Sequence, residues 1–172
     1  MNASMMPSTG EYHPYYQSYL ENIAGKDVHA LIVGQIEEVR SIFKDKHEAW
    51  AETPYAVGKW TPKELLAHIT DTDRVMAFRA FCFARGEEAS LPGFDQDVYI
   101  ANGQFNQFSI ESLIEDFTSN RKSIAALLQT ITQEQFLLTG IANENKVSVR
   151  ALIAIIPGHA AHHLTILRER YH

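Results

Sequence analysis

Cysteine is nearly missing from this sequence: Cys82 stands alone, so no disulfide can form within the chain. That suits a reducing, cytoplasmic setting. Long apolar runs are missing too. The longest, Ala151 to Ile156, falls far short of the roughly 20 residues that span a bilayer. Basic clusters are absent, since the 15 Lys and Arg are scattered among 21 Asp and Glu for a net charge of −6. Nucleic acid and anionic lipid both require such clusters, so neither is expected as a partner. Met1 to Tyr12 has neither the basic start nor the apolar stretch of a secretory signal. No alternating apolar and polar stretch is long enough for a sheet.

What is present is helical periodicity, on a chain of 172 residues, enough for one domain with a proper core. Residues 1–12 are expected to form a flexible tail, and residues 13–172 one all-α domain. A short helix is predicted over Pro14 to Ile23, ended by Gly25. Asp27 caps a first long helix whose side carries Leu31, Gln35, Val39, Ile42, Lys46 and Ala49, ending before Pro54. Thr61-Pro62-Lys63-Glu64 gives the clearest start signal, a capping box with proline at the first helical position. That second helix runs to about Arg85, where Gly86 stops it. Glu87 to Gln107 holds Pro92, Gly93 and Gly103 and reads as a long loop, of the kind that forms lids or binding walls. A third helix follows Ser109 to about Thr130, Thr132 to Phe136 adds a turn, and a fourth long helix covers Ser148 to Arg170. Four long helices without strands predict an antiparallel four-helix bundle with a long crossover loop.

The last helix places histidine where apolar residues belong. Val149, Leu152, Ile156, His159, His163 and Ile166 follow the spacing of a buried stripe. His159 and His163 are one turn apart, the spacing by which a helix offers two nitrogens to one metal ion. On the second helix, Leu65, His68, Thr72 and Val75 form the inward stripe, so His68 repeats the pattern. One divalent ion between facing helices would satisfy all three imidazoles and leave an open position, as in catalytic zinc sites. The alternative is three separately satisfied core histidines. His162 competes with His163 for the third place but falls on the flank of the stripe. The His-Glu-x-x-His motif fails because Ala160 follows His159. Di-iron bundles need inward Glu-x-x-His pairs, which this chain lacks.

Other residues have possible roles. Asp71, three positions after His68, is a candidate catalytic carboxylate that could orient an imidazole or act as base; its alternative is an ion pair with Arg74. Arg79 could pair with Asp71, hold an anionic substrate, or extend outward. Pro157 and Gly158 predict a bend that either aims His159 or wraps the helix around the core. Leu91 to Asp97 is the candidate wall over the pocket, with Asp95 and Asp97 as carboxylates that could reach it. Cys82, among Phe78, Phe81 and Phe83, is expected to be a buried, inert thiol.

With Gly58-Lys59-Trp60-Thr61-Pro62-Lys63-Glu64, then His68 and Asp71, then Gly158-His159-Ala160-Ala161-His162-His163, the chain resembles the DinB/YfiT-like superfamily of metal-binding four-helix bundles. The resemblance covers roughly residues 28–171. It implies a metal site of one histidine from the second helix and a His-x-x-x-His pair from the last, here His68, His159 and His163, with zinc or nickel as the usual ion. It also implies a range of reactions, including thiol-dependent S-transfer and a mycothiol-dependent isomerisation. The expected function is therefore metal-dependent S-transfer to a small-molecule electrophile, with a low-molecular-weight thiol as cosubstrate. A metal-dependent hydrolase and a non-catalytic metal-stabilised binding protein are the alternatives. A homodimer is expected from the family habit and from Trp50, Tyr55 and Phe94 as apolar surface.

Overall fold

The computed structural model describes residues 6–172. Four long helices make the frame: α2 (Val28–Phe43), α4 (Pro62–Ala84), α6 (Ile110–Leu128) and α8 (Val149–Arg170). Each begins at the residue with the right chemistry. The side chains of Asp27, Thr61, Ser109 and Ser148 accept from the backbone N–H three residues on, meeting donors the helix leaves unpaired. Thr61 and Glu64 complete the capping box. The shorter helices are α1 (Gln17–Glu21), α3 (Glu48–Ala51), α5 (Gln96–Gly103) and α7 (Gln133–Phe136).

Both α2 and α4 pack on α6 and α8, so α2 and α4 occupy opposite corners of the bundle. The core has two apolar halves. One gathers Val28 and Ile32 with Met76 and Phe83, Ile124 and Leu128, and Leu152 to Ile156. The other gathers Val39 and Phe43 with Leu65 and Ile69, Leu113 and Phe117, and Leu164 and Leu167. Helices α2 and α8 therefore run one way and α4 and α6 the other. This corrects the fully antiparallel arrangement: α4 and α6 are parallel neighbours, and their connection must return along the bundle. That is the physical reason for the long segment between them.

Between the halves lies a polar layer that visits all four long helices. Arg121 Nε donates to Asp73 Oδ2 at 2.6 Å, Arg121 Nη1 to Gln35 Oε1 at 2.7 Å, and Gln35 Nε2 to the Pro157 carbonyl at 2.9 Å. Arg121 and Asp73 are wholly buried.

The structure departs from the sequence reading in four further places. A two-stranded hairpin, β1 (Thr139–Ala142) and β2 (Asn145–Ser148), precedes α8. Its two-residue turn, Asn143-Glu144, has positive φ at both positions, which matches strand twist. The predicted loop at 87–107 contains α5 and a 3-10 turn, Phe105–Gln107. Helix α2 stops at Phe43 because the chain turns through Asp45 at φ 60° before α3 begins. Finally, residues 6–12 lie against the bundle where a loose tail is predicted. Glu11 pairs with Arg150 and accepts from Ser148 Oγ at 2.7 Å, and Met6 and Tyr12 pack on the core. Residues 1–5 of that tail lie outside the described residues.

Candidate metal centre

His68 sits in the second turn of α4, where the cap at Thr61 fixes the phase of the helix. Its ring lies 4.7 Å from that of Trp60, whose carbonyl accepts from the Tyr171 hydroxyl at 2.6 Å. The segment before α4 thus shields the imidazole. His159 and His163 come from α8, just past Pro157. Proline has no N–H for the carbonyl one turn earlier, while its own carbonyl is held by Gln35. A Cβ on Gly158 would lie 2.5 Å from the Tyr19 carbonyl oxygen. Only glycine admits α1 that closely, and this approach brings the Tyr19 ring edge-on to His159 at 5.4 Å.

The three imidazoles converge. His159 Nε2 lies 3.0 Å from Nε2 of both His68 and His163, and one ligand nitrogen from each residue falls within 4.8 Å of the others. A single ring nitrogen has one in-plane valence, so it cannot satisfy two such neighbours by hydrogen bonding. A tetrahedral ion with bonds of about 2.05 Å needs its nitrogens roughly 3.3 Å apart, close to what is present. The residues fit a divalent ion. Burial pushes the pKa of His68 down to about 4. Burial and the neighbouring imidazoles take His163 to about 3 and His159 well below the ordinary value. All three are therefore neutral at pH 7, as a ligand must be. The Nδ1 atoms of His159 and His163 are enclosed and have no hydrogen-bond partner among the described residues.

His162 stands apart: its ring is 5.0 Å from that of His163, and it is not in the cluster. Asp71 is also elsewhere in the network. Its Oδ1 accepts from Arg74 Nη1 at 3.2 Å, and Arg74 Nη2 reaches Asp116 at 2.5 Å. Among the described residues no hydrogen bond joins Asp71 to His68. Asp95 caps α5, accepting from the Asp97 and Val98 N–H groups. Asp97 borders a separate opening beside His163, with Lys59 and Trp60.

A cavity of about 150 Å³ opens beside His68 and His159, lined by Tyr15, Tyr16, Tyr19, Thr72, Arg79, Phe94, Gln96 and Asn143 among others. Phe94 and Gln96 are the contribution of the predicted wall. The tyrosines are the functional candidates that sequence reasoning missed; Tyr15 and Tyr19, one turn apart, were the available signal. Cys82 lies outside the cavity and is half-buried rather than enclosed, because Phe78 and Phe81 face solvent. Burial and then Glu87 raise its pKa, which keeps it protonated. Of the aromatics assigned to a dimer surface, Trp50 packs on Phe43 and Tyr171, and Phe94 on Tyr99 and Arg79.

A sequence model of the DinB superfamily matches residues 31–167. The chain belongs to the DinB superfamily. This DinB chain is 26% identical over 115 residues to a protein of Oceanobacillus iheyensis described as a candidate metal-dependent hydrolase. The aligned stretch covers 66% of each protein, so the chain spans just under two thirds of that relative's length. Its fold is that of YfiT from Bacillus subtilis, described as "a probable metal-dependent hydrolase with an unusual four-helix bundle topology". The TM-score is 0.72 at 15% identity, over 96% of this chain and 95% of that one. Among the described residues no helix is long and apolar enough to cross a membrane.

Proposed function

We propose that this DinB-superfamily protein is a metal-dependent hydrolase of a small molecule, with zinc or nickel held by His68, His159 and His163. The observation that carries the reading is three neutral imidazoles converging on one point, with two of them, His68 and His159, lining a cavity. An ion held there would lower the pKa of a bound water or thiol and polarise a carbonyl oxygen. The description given to the Oceanobacillus relative supports hydrolysis. The residues of this chain would bind and orient. Tyr15, Tyr16 and Tyr19, with Gln96 and Asn143, line the cavity beside His68 and His159, and their side chains carry the donors that a developing oxyanion would need. Phe94 lines that cavity, and Trp60 packs against the His68 ring.

A second reading, S-transfer from a low-molecular-weight thiol, is favoured by one feature. Among the described residues no Asp or Glu lines the cavity beside His68 and His159, Asp97 bordering the separate opening beside His163, so no carboxylate stands in that cavity to shuttle a proton to an amide leaving group. A thiol, with a free pKa of about 8.5, can release its proton to solvent before attack and needs no such base.

The test begins with metal analysis of protein purified without a nickel column, where about one ion per chain is expected. Ester and amide hydrolysis is then measured beside conjugation of small thiols to chlorodinitrobenzene. Metal-dependent hydrolysis that disappears in His163→Ala supports the first reading. Metal-dependent transfer without hydrolysis replaces it with the second. Metal without either activity leaves a binding protein.

A further inference from the structure

A guanidinium is buried at this cavity with no carboxylate paired to it among the described residues. Arg79, on α4, is 4% exposed. It borders the cavity beside His68 and His159 and also a larger one of about 410 Å³, lined by Met76, Val147, Leu152 and Ile155. The two spaces share Tyr15, Tyr16, Met76, Arg79 and Asn143. Nη2 of Arg79 donates to the Pro92 carbonyl at 2.6 Å, Nη1 lies 3.9 Å from Met76 Sδ, and the Phe94 ring is 5.9 Å away. Arg121, equally buried, has Asp73 at 2.6 Å. Among the described residues no carboxylate forms an ion pair with Arg79. An uncompensated buried charge is costly.

The fold holds this arrangement in place. The Leu91 N–H donates to the Ile141 carbonyl and Asn143 N–H to the Leu91 carbonyl. A Cβ on Gly93 would lie 2.2 Å from Asn143 Oδ1. The loop is thereby seated on the hairpin turn, and its Pro92 carbonyl fixes one edge of the guanidinium while other N–H groups remain for a ligand.

We propose that Arg79 is the receptor for a single carboxylate on the substrate, whose reacting group lies at the His68–His159–His163 centre. This rests on the reading of that centre as the reacting site. A carboxylate matches the planar fork with two oxygens and one charge. A phosphate dianion calls for more positive charge, and among the described residues no Lys or second Arg lines either cavity. Arg79 follows His68 by 11 residues on α4, about three turns, which puts the two on one side of the helix, and both line the same cavity of about 150 Å³. The substrate is therefore elongated, with a short apolar spacer that suits Met76, Leu152 and Ile155.

Calorimetry with adipic monohydroxamate and hexanohydroxamate tests this, because the hydroxamate takes the metal and only one of the two carries a carboxylate. Zinc-loaded protein is expected to bind the carboxylate-bearing compound about tenfold or more tightly. Arg79→Gln should erase that preference and leave hexanohydroxamate affinity unchanged. Equal binding by the parent protein, or a preference that survives Arg79→Gln, overturns the proposal. If neither hydroxamate binds, the reading of the metal centre fails. Adipate titrated into metal-free protein then decides for Arg79: binding that Arg79→Gln abolishes sustains it, and its absence overturns it. Circular dichroism checks the fold of each variant, and Arg79→Met, which fills the same space without a polar head, replaces the amide if that one unfolds.

Discussion

Two buried polar clusters lie on neighbouring turns of the same helices, and they differ in how they are satisfied. In the Asp73–Arg121–Gln35 layer, charge meets charge and the chain of hydrogen bonds ends on the Pro157 carbonyl. In the histidine cluster, His159 Nε2 faces Nε2 of both His68 and His163 at 3.0 Å, and one ring nitrogen cannot satisfy two such neighbours by hydrogen bonding. The first pairs its opposite charges within the protein, and what it leaves over among the described residues, Asp73 Oδ1 and Arg121 Nη2, is one acceptor and one donor; it serves the fold. The second is complementary to something positive from outside. Burial of polar groups alone does not mark a site; the sign of what is left unpaired does.

The largest expected effect breaks the second cluster. His159→Ala removes the nitrogen that faces both others, so metal content should fall from about one ion per chain to none by elemental analysis. The parent protein, but not the variant, should gain thermal stability when zinc is added, by about 2.7 kcal/mol at a hundredfold excess over Kd. Retention of the ion in His159→Ala would transfer the ligand role to His162.

Breaking the first cluster should instead change stability and spare metal affinity. Arg121→Leu leaves the Asp73 carboxylate buried and uncompensated, a loss of about 3–5 kcal/mol. Leucine at both positions should recover most of it in urea denaturation. Some weakening of metal binding in Arg121→Leu would be informative too, since Gln35 is held between Arg121 and the carbonyl two residues before His159.

A smaller effect separates the clusters by pH. The unfolded imidazole titrates near 6.5, and burial holds His68 to about 4 and His163 to about 3. Between those values the unfolded chain binds more protons, so stability of the metal-free protein falls as pH drops through this window. It is fully present above pH 6.5. Glu11, held to about 2 chiefly by Arg150, adds a loss of the same sign at lower pH. Phenylalanine at 68 and 163 should flatten the upper part of the melting-temperature profile and leave the acid limb.

Much of the fold was legible because helix starts are local chemistry: Asp27, Thr61, Ser109 and Ser148 are caps in sequence and in structure. The histidines were legible because imidazole at an apolar position breaks a periodic pattern. The hairpin was not, since Asn143-Glu144 is a weak turn signal and its strands have four residues each. Helix direction was hidden because it depends on which ends share a core. The roles of Tyr19 and Gly158 were hidden for a related reason: the close approach of α1 to α8 joins residues about 140 apart and leaves no local trace.

The smallest expected effect concerns Asp71, which sequence spacing offered as a group acting on His68. If it oriented that imidazole, Asp71→Asn would weaken metal binding by roughly 10–100-fold, as losses of such partners do. The structure gives it a different neighbour. Arg74 Nη1 donates a hydrogen bond to Asp71 Oδ1 at 3.2 Å, and its other arm reaches Asp116 on α6. The arginine is nearly half exposed and the Asp71 side chain 22% exposed, so the pair is worth at most about 1 kcal/mol. Burial raises the Asp71 pKa and Arg74 opposes the shift; the neutral amide therefore removes an ion pair of modest value. Asp71→Asn should keep its zinc affinity within about threefold, with a small loss of stability that Arg74→Gln reproduces. A tenfold loss of affinity in Asp71→Asn that Arg74→Gln does not share would place the carboxylate on His68 after all, and would move Asp71 from the scaffold to the metal centre.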